Sequence, residues 1–174
     1  IGLGPIGLAT LEFVRLRTAA VTVIDRLSER VEFCQKTYTP AGALVAGDDN
    51  QVNLLRDKSD GHMFDVVIDA TGNPQSMATA LTYASQGGKV VFLGLSSQKI
   101  AFAQPEMHRR ELTLLASRNA LSCDFQQVIA AITNGTIQTE PWITNRISIN
   151  EVEQQIDALI QPEAGVIKAM INLD

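Results

Sequence analysis

The stretch that decides the fold is IGLGPIGLATLEFV, residues 1–14. Its glycines Gly2, Gly4 and Gly7 form a Gly-x-Gly-x-x-Gly pattern, and an apolar-periodic segment follows. In such a strand-to-helix turn the first glycine makes the bend, the second lets a pyrophosphate approach the backbone, and the third lets the helix pack against the sheet. Pro5 suits the first helical turn, where its missing N–H would have no partner. The stretch therefore predicts a helix N-terminus that can bind an anion.

A second signal is the carboxylate that ends the next apolar run. The β-branched segment 21–24 leads into Asp25, which lies 18 residues after Gly7. In dinucleotide-binding folds an acidic residue about 20 residues on binds the ribose 2′-hydroxyl. The glycine pattern is weak by itself, but strand, helix, strand and acid together predict a dinucleotide site. Because a carboxylate repels a 2′-phosphate, Asp25 favours NAD over NADP, with the neighbouring Arg26 turned into solvent.

Alternation of helices and strands along the chain predicts the fold class. Helices are expected at about 6–17, 28–36, 52–57, 74–84 and 104–110, and strands at 20–24, 42–46, 64–72, 89–93 and 112–117. Ser28 is the expected N-cap of its helix, Gly87 and Gly88 should precede a strand, and residues 99–102 could form a short extra strand. The pattern is typical of an α/β fold with a doubly wound parallel sheet, the Rossmann fold.

The pattern changes near Asn119, which predicts a domain boundary. Beyond it we expect a helix at 124–134, an extended stretch at 143–149, a helix capped by Asn150 and a final strand at 166–173. We assign residues 1–118 to a dinucleotide-binding domain and residues 119–174 to a segment of a second domain. Only Ile1 represents the first strand, which should be central in the sheet, so we expect a longer parent protein.

Composition limits the possible partners. The 174 residues are 45% hydrophobic and 19% charged, as in ordinary globular domains, and the net charge of −5 argues against nucleic acid. No apolar run approaches the roughly 20 residues of a membrane span, and no signal peptide is visible. Cys34 and Cys123 show no paired spacing, so we expect thiols in a cytoplasmic protein.

Ligands of an open parallel sheet bind outside the carboxyl ends of its strands. Glycines at these ends could equally be plain turn formers. The strand ends predicted to line this crevice are the glycine turn, Asp25 with Arg26, Thr71 with Gly72, and Leu93, Gly94 and Leu95, with Arg118 at the last strand.

Other titratable residues do not form a predicted catalytic centre. Asp65 and Asp69 share a strand face, but Asp65 stands at the strand's entry, so solvation and turn capping are the expected roles. His62 and His108 are expected at the surface. With two cysteines and two histidines, unclustered, these residues predict no zinc site, and no catalytic residue is assigned.

The sequence resembles the zinc-dependent medium-chain alcohol and polyol dehydrogenases. The resemblance rests on GLGPIG (2–7), VID (23–25), VIDATG (67–72), GGKVV (87–91) and GVIK (165–168) in this order. Segments 105–111 and 117–120 are similar to bacterial sugar-acid dehydrogenases of the L-galactonate or L-idonate kind. Ala116 departs from the glycine that the family more often has there.

Family membership implies a two-domain subunit whose zinc ligands lie in an upstream half, with the chain returning to the catalytic domain near residue 119. It also implies homodimers or homotetramers joined at sheet edges, here residues 99–102 and 112–117. By residue, the resemblance assigns Gly2, Gly4, Pro5, Ile6 and Gly7 to the pyrophosphate, Asp25 to the adenosine ribose, Thr71 to the adenosine side, Leu93, Gly94 and Leu95 to the nicotinamide, and Arg118 to its ribose or the phosphates.

The expected function is therefore the NAD-binding portion of a dehydrogenase that oxidises a secondary alcohol of a polyol or sugar acid, inactive without the zinc-bearing part. Three alternatives stay open. A zinc-free member of the superfamily, similar to quinone oxidoreductases, would differ in metal content. A non-catalytic NAD sensor would not need the segment after residue 119. A methyltransferase would bind S-adenosylmethionine in place of NADH.

Overall fold

Helices and strands alternate along the chain, as predicted. The computed structural model describes residues 1–18, 20–161 and 164–173. Its helices are α1 (Pro5–Arg15), α2 (Ser28–Tyr38), α3 (Gln51–Asp57), α4 (Pro74–Ala80), α5 (Gln104–Arg109), α6 (Ser122–Thr133) and α7 (Val152–Leu159). Its strands are β1 (Thr22–Asp25), β2 (Gly42–Val45), β3 (Phe64–Asp69), β4 (Ala84–Phe92), β5 (Thr113–Ala116), β6 (Ile143–Ser148) and β7 (Lys168–Asn172).

The first five strands form a parallel sheet joined at its centre by two residues. β1 pairs with β2, and β4 lies between β3 and β5, all in parallel. The Gly2 amide donates to the Ile24 carbonyl at 2.8 Å, and the Ala70 amide donates to the Ile1 carbonyl at 2.9 Å. The order is therefore β2, β1, residues 1–2, β3, β4, β5, which confirms the doubly wound topology.

Two apolar clusters occupy the two faces of this sheet. Because successive strand residues point to opposite faces, Val23 and Ile24 belong to different clusters. The Val23 cluster contains Leu8 and Leu11 of α1 with Val31, Cys34 and Tyr38 of α2. The Ile24 cluster contains Leu55 of α3, Ala80 of α4, and Val67, Val90 and Leu112. Helices thus cover both faces, as a doubly wound sheet requires.

Strand β4 begins earlier than its sequence predicts. It starts at Ala84, ahead of Gly87 and Gly88, and helix α4 gives way to a 3-10 turn before it. Phe64 pairs with Ala84 but Val66 pairs with Lys89, so the register shifts across the glycines. Gly87 has φ +69°. The two glycines therefore form a bulge inside the strand and do not mark its beginning.

The extra strand predicted at 99–102 is absent, since these residues are neither helix nor strand. Strand β3 is incompletely covered, because Val66 is 52% exposed. The Ile1 amino group donates to the Ile68 carbonyl, so the central segment begins level with Ile68. Val66 consequently has no strand neighbour on that side among the described residues.

Two predicted helix caps are wrong. Leu27 occupies the N-cap position of α2, and Ser28 is already helical. Asn150 does not cap the helix near it; its amide donates to the Ser148 hydroxyl, which caps a 3-10 turn ahead of α7. The N-cap of α7 itself is Glu151, so each cap lies one residue from the predicted one, a shift that propensity alone does not resolve.

The C-terminal segment attaches to the face of the sheet that α1 and α2 cover. Strands β6 and β7 form a separate parallel pair. Ile167 is buried in the Val23 cluster and Trp142 packs against it. The Arg30 guanidinium donates to the Val166 carbonyl at 2.5 Å. None of the helices in the described part of the chain has the length and apolarity to cross a membrane.

Candidate functional site

The glycine turn is tightly packed at two of its glycines and open at the third. Gly2 has φ +85°, and a Cβ there would lie 2.9 Å from the Thr71 methyl group. A Cβ on Gly7 would lie 1.7 Å from the Gly2 carbonyl oxygen. A Cβ on Gly4 would meet no atom within 4 Å. The turn therefore presents open backbone at Gly4, where a ligand can approach closely.

The N-terminus of α1 points this open backbone toward a potential anion. Gly4 is the N-cap, Pro5 lies in the first helical turn as predicted, and no side chain caps the helix. No acidic residue lies in the first turn, and the Ile6 side chain is exposed. The unpaired amides and the partial positive charge of an 11-residue helix favour a phosphate here.

Asp25 lies directly beside the glycine turn. One carboxylate oxygen accepts the Leu3 amide at 2.6 Å, and the other accepts the Leu27 amide at 2.9 Å. These charge-assisted bonds fix the carboxylate at the end of β1, while each oxygen keeps a lone pair for a hydroxyl donor. Arg26 is exposed and forms no hydrogen bond or ion pair with other described residues. The arrangement suits a ribose diol.

A buried carboxylate organises the turn after β3. Asp69 is 0% exposed, and one of its oxygens accepts both the Thr71 amide at 2.9 Å and the Thr71 hydroxyl at 2.6 Å. Its other oxygen accepts the Ser76 hydroxyl at 2.6 Å. Of the two expected roles, Asp69 therefore fulfils turn capping, and it is not solvated. Asp65, at the other end of β3, is exposed and accepts the Ser85 hydroxyl at 3.1 Å.

The turns after β3 and β4 cross each other with their backbones in contact. A Cβ on Gly94 would lie 2.1 Å from the Gly72 amide nitrogen, and one on Gly72 would lie 2.8 Å from the Leu95 carbonyl oxygen. Gly72 has φ +65°. The Leu93 and Gly94 amides both donate to the Asp69 carbonyl, at 2.8 and 3.2 Å. Only glycine fits this crossing, which makes the second wall of the crevice.

Most of the predicted site residues come together at this edge of the sheet. The glycine turn contacts Asp25 through Leu3 and contacts Thr71 directly, and Thr71 leads into the crossing with Gly94. The Leu95 side chain is 92% exposed. Arg118 is also exposed, and the described residues offer it no hydrogen bond or ion pair. The ligand contacts assigned to all of these residues stay predictions.

Sequence reasoning missed three participants. The Leu3 amide and the Ser76 hydroxyl bind the two acidic residues of the site, and Arg30 joins α2 to the C-terminal segment. An Asp two residues ahead of a Thr-Gly turn could have indicated Asp69 as the residue that caps the turn. Nothing local could have indicated Arg30, because its partner Val166 is 136 residues away.

Two groups near Asp25, the half-buried Arg30 and the buried Cys34, have shifted pKa values. Burial lowers the pKa of the Arg30 guanidinium, although the Asp25 carboxylate opposes the shift. Burial raises the pKa of the Cys34 thiol to about 12, and Asp25 adds to this. Cys34 is therefore a protonated core residue at neutral pH. Both cysteines are free thiols, as predicted.

The described residues contain no metal-binding cluster. No three His, Cys, Asp or Glu side chains within residues 1–18, 20–161 and 164–173 are placed to share a metal ion. His62 and His108 are both exposed, as predicted. These residues therefore do not fit a zinc site.

Comparison with known proteins identifies the family. The family model for zinc-binding dehydrogenases matches residues 5–134. L-galactonate-5-dehydrogenase of Escherichia coli K12 is 30% identical over 172 residues, which cover 99% of this chain and 50% of that protein. A probable D-xylulose reductase A of Neosartorya fischeri is 28% identical, covering 88% of this chain and 44% of that protein.

A solved structure has the same fold. An alcohol dehydrogenase from Escherichia coli CFT073, complexed with NADH, superposes with a TM-score of 0.88 at 25% identity, covering 99% of this chain and 50% of that chain. This chain thus spans about half the length of the relatives it matches. These matches confirm the resemblance to zinc-dependent alcohol, polyol and sugar-acid dehydrogenases, and the chain belongs to the zinc-binding dehydrogenase family.

Proposed function

We propose that this chain is the NAD(H)-binding part of a zinc-dependent dehydrogenase that oxidises a secondary alcohol of a polyol or sugar acid. One observation carries the proposal. The glycine turn leaves its backbone open at Gly4, at the start of α1, and Asp25 is held 2.6 Å from the Leu3 amide within the same turn. A diphosphate and a ribose diol are the neighbouring groups that such a pair of subsites fits.

The carboxyl edge of the sheet would hold the whole dinucleotide. The pyrophosphate would lie across Gly4 and the α1 N-terminus, and the adenosine ribose at Asp25. Thr71 would flank the adenosine side, and the turn at Leu93–Leu95 would flank the nicotinamide. Arg118, which is exposed at the end of β5, would reach the nicotinamide ribose or the phosphates. When bound, NAD supplies the hydride acceptor; these residues bind and orient it.

Substrate class rests on the relatives. Proteins named for L-galactonate and D-xylulose are among those the chain resembles, and both names denote small polyhydroxylated molecules. The zinc ligands and the catalytic residues would lie outside this chain. We further propose that residues 119–174 belong to the catalytic domain, and that the protein is cytoplasmic, since both cysteines are free thiols.

We also propose that subunits associate through the edge of the sheet at β5. This strand pairs with β4 on one side, and the described residues provide no strand on its other side. The Leu115 side chain on it is exposed. Residues 99–102 do not form a strand, so of the two segments predicted at the subunit contact only β5 offers unpaired strand backbone for a symmetric homodimer or homotetramer.

The cofactor proposal is tested by calorimetric titration of the full-length natural protein with NADH and NADPH. We expect NADH to bind more tightly. Asp25→Asn should weaken NADH binding about tenfold, because a charged acceptor of the ribose hydroxyls is lost, and it should narrow the preference over NADPH. Asp48→Asn is the matched control, because Asp48 is an exposed carboxylate that accepts only the Asn50 amide. Tighter binding of NADPH by the natural protein would contradict the role given to Asp25.

A further inference from the structure

Asp69 is a fully buried carboxylate at the edge of the sheet where the crevice lies, and its bonds go to neighbouring residues of the chain. It is the last residue of β3. Two of its three side-chain hydrogen bonds come from Thr71 in the turn that follows, and the third comes from Ser76 in the first part of α4. The Thr71 hydroxyl, held by Asp69, accepts the Asn73 amide at 3.0 Å in turn. The turn is thus fixed by a chain of bonds that begins at one carboxylate.

This turn lies between the two walls of the crevice. On one side the Thr71 methyl group stands 2.9 Å from the position that a Cβ on Gly2 would occupy. On the other side the Gly72 backbone crosses Gly94 so closely that no Cβ fits. Any displacement of the turn therefore changes the distance between the glycine turn and the segment Leu93–Leu95.

We propose that Asp69 is a positioning residue that fixes the Thr71–Gly72 turn between Gly2 and Gly94 and so sets the spacing of the two halves of the cofactor site. The inference rests on the proposed NAD(H) function. A dinucleotide must occupy both halves at once, so its affinity depends on their spacing. A mononucleotide occupies one half: AMP would meet Thr71 on the adenosine side, but its affinity does not depend on the distance from there to Leu93–Leu95. Loosening the turn should therefore weaken the binding of a dinucleotide more than the binding of a mononucleotide.

The test compares NADH with AMP as calorimetric ligands of the full-length natural protein. In Asp69→Ala three donors lose their acceptor, and we expect NADH to bind about tenfold more weakly while AMP changes less than about twofold. In Asp69→Asn the amide oxygen can still accept from Thr71, and the amide group can donate to the Ser76 hydroxyl. This variant should restore NADH binding to within about threefold of the natural protein.

Asp65→Ala is the matched control, since it removes an exposed carboxylate from the other end of the same strand. It should leave the affinities for NADH and for AMP unchanged. If Asp69→Ala does not fold, Ser76→Ala replaces it, because it removes one donor to Asp69 and none of the ligand-facing groups. That variant should weaken NADH binding about threefold and leave AMP binding unchanged.

Two results would overturn the inference: equal weakening of NADH and AMP in folded protein, which indicates a general structural role, or no weakening of either. Failure of the proposed function looks different, because the natural protein itself would then not bind NADH.

Discussion

The two parts of the chain on either side of residue 119 bury their apolar side chains very differently. Among the described residues, seventeen buried apolar side chains precede residue 119 and three follow it, namely Ile137, Ile147 and Ile167. The first part builds its own core on both faces of a sheet. The second part is held mainly by Ile167, Trp142 and the bond from Arg30 to Val166. The fold of the candidate site is therefore determined within the first part.

Helix α6 makes the contrast concrete. It has an apolar face of large side chains, but none of its residues is buried. Phe125 is 60% exposed, whereas Leu8 on α1 is fully buried. Both helices have amphipathic sequences, so amphipathicity alone does not tell which helix face finds a partner.

The largest expected effect comes from a single methyl group in the glycine turn. Gly7→Ala places a Cβ against the Gly2 carbonyl, so the turn and the start of α1 must separate. We expect the free energy of unfolding to fall by about 3 kcal/mol or more. Gly4→Ala meets open space and should reduce it by less than about 1 kcal/mol, yet weaken NADH binding. Denaturant unfolding with NADH titration separates the two; equal stability of both variants would refute the packing at Gly7.

A smaller effect compares the cores of the two parts. Leu8→Ala opens a cavity in the Val23 cluster and should reduce the free energy of unfolding by about 2–5 kcal/mol. Phe125→Ser changes an exposed side chain of α6 and should stay within about 0.5 kcal/mol in this 174-residue chain. Chemical denaturation of both variants measures this. If Phe125→Ser were as damaging as Leu8→Ala, the face of α6 would be covered after all.

The smallest effect distinguishes the two cysteines, one in each part. A thiol reagent should modify exposed Cys123 rapidly at pH 8, and should modify Cys34 only on unfolding, because burial raises its pKa to about 12. Mass spectrometry after timed labelling reads this out, and Cys123→Ser removes the fast signal. Rapid labelling of both sites in folded protein would contradict the packing of α2.

The same burial predicts a pH dependence of stability. The raised pKa of Cys34 means that the folded state holds this proton more tightly than the unfolded state, whose thiol titrates near its ordinary value of 9.0. Stability from this group is fully present below pH 9 and is lost as the pH rises towards about 12. Burial shifts the pKa of the Tyr38 and Tyr83 phenols in the same direction. The denaturant concentration at the unfolding midpoint should therefore decrease as the pH is raised from 9 to 11.

Much of the fold could be predicted because its signals are local. The glycine turn, the apolar strands and the alternation with helices each occupy a short stretch of sequence, and the structure places them as expected. The failures involve competition between neighbouring signals. Gly87 and Gly88 predict a break, but a bulge lets strand β4 run through them. Residues 100–102 are apolar, which suits a strand, yet residues 99–102 pair with no described strand.

The candidate site was predicted less completely than the fold. Its glycines and Asp25 follow a known spacing, so they could be read directly from the sequence. The role of Asp69 depends on Ser76, seven residues away, and on the crossing of two turns that are distant in sequence. Arg30 depends on a carbonyl near the other end of the chain. Contacts of this kind follow from tertiary packing, which no periodicity records.

The crossing of Gly72 and Gly94 has a practical meaning for protein engineering. Because each backbone fills the space where the other would need a side chain, neither position can be randomised without losing the scaffold. Arg26 and Arg118 are exposed at the same edge and bond to no other described residue. Libraries that probe the proposed nucleotide preference should therefore vary Arg26 together with the neighbouring Asp25 and leave the crossing untouched.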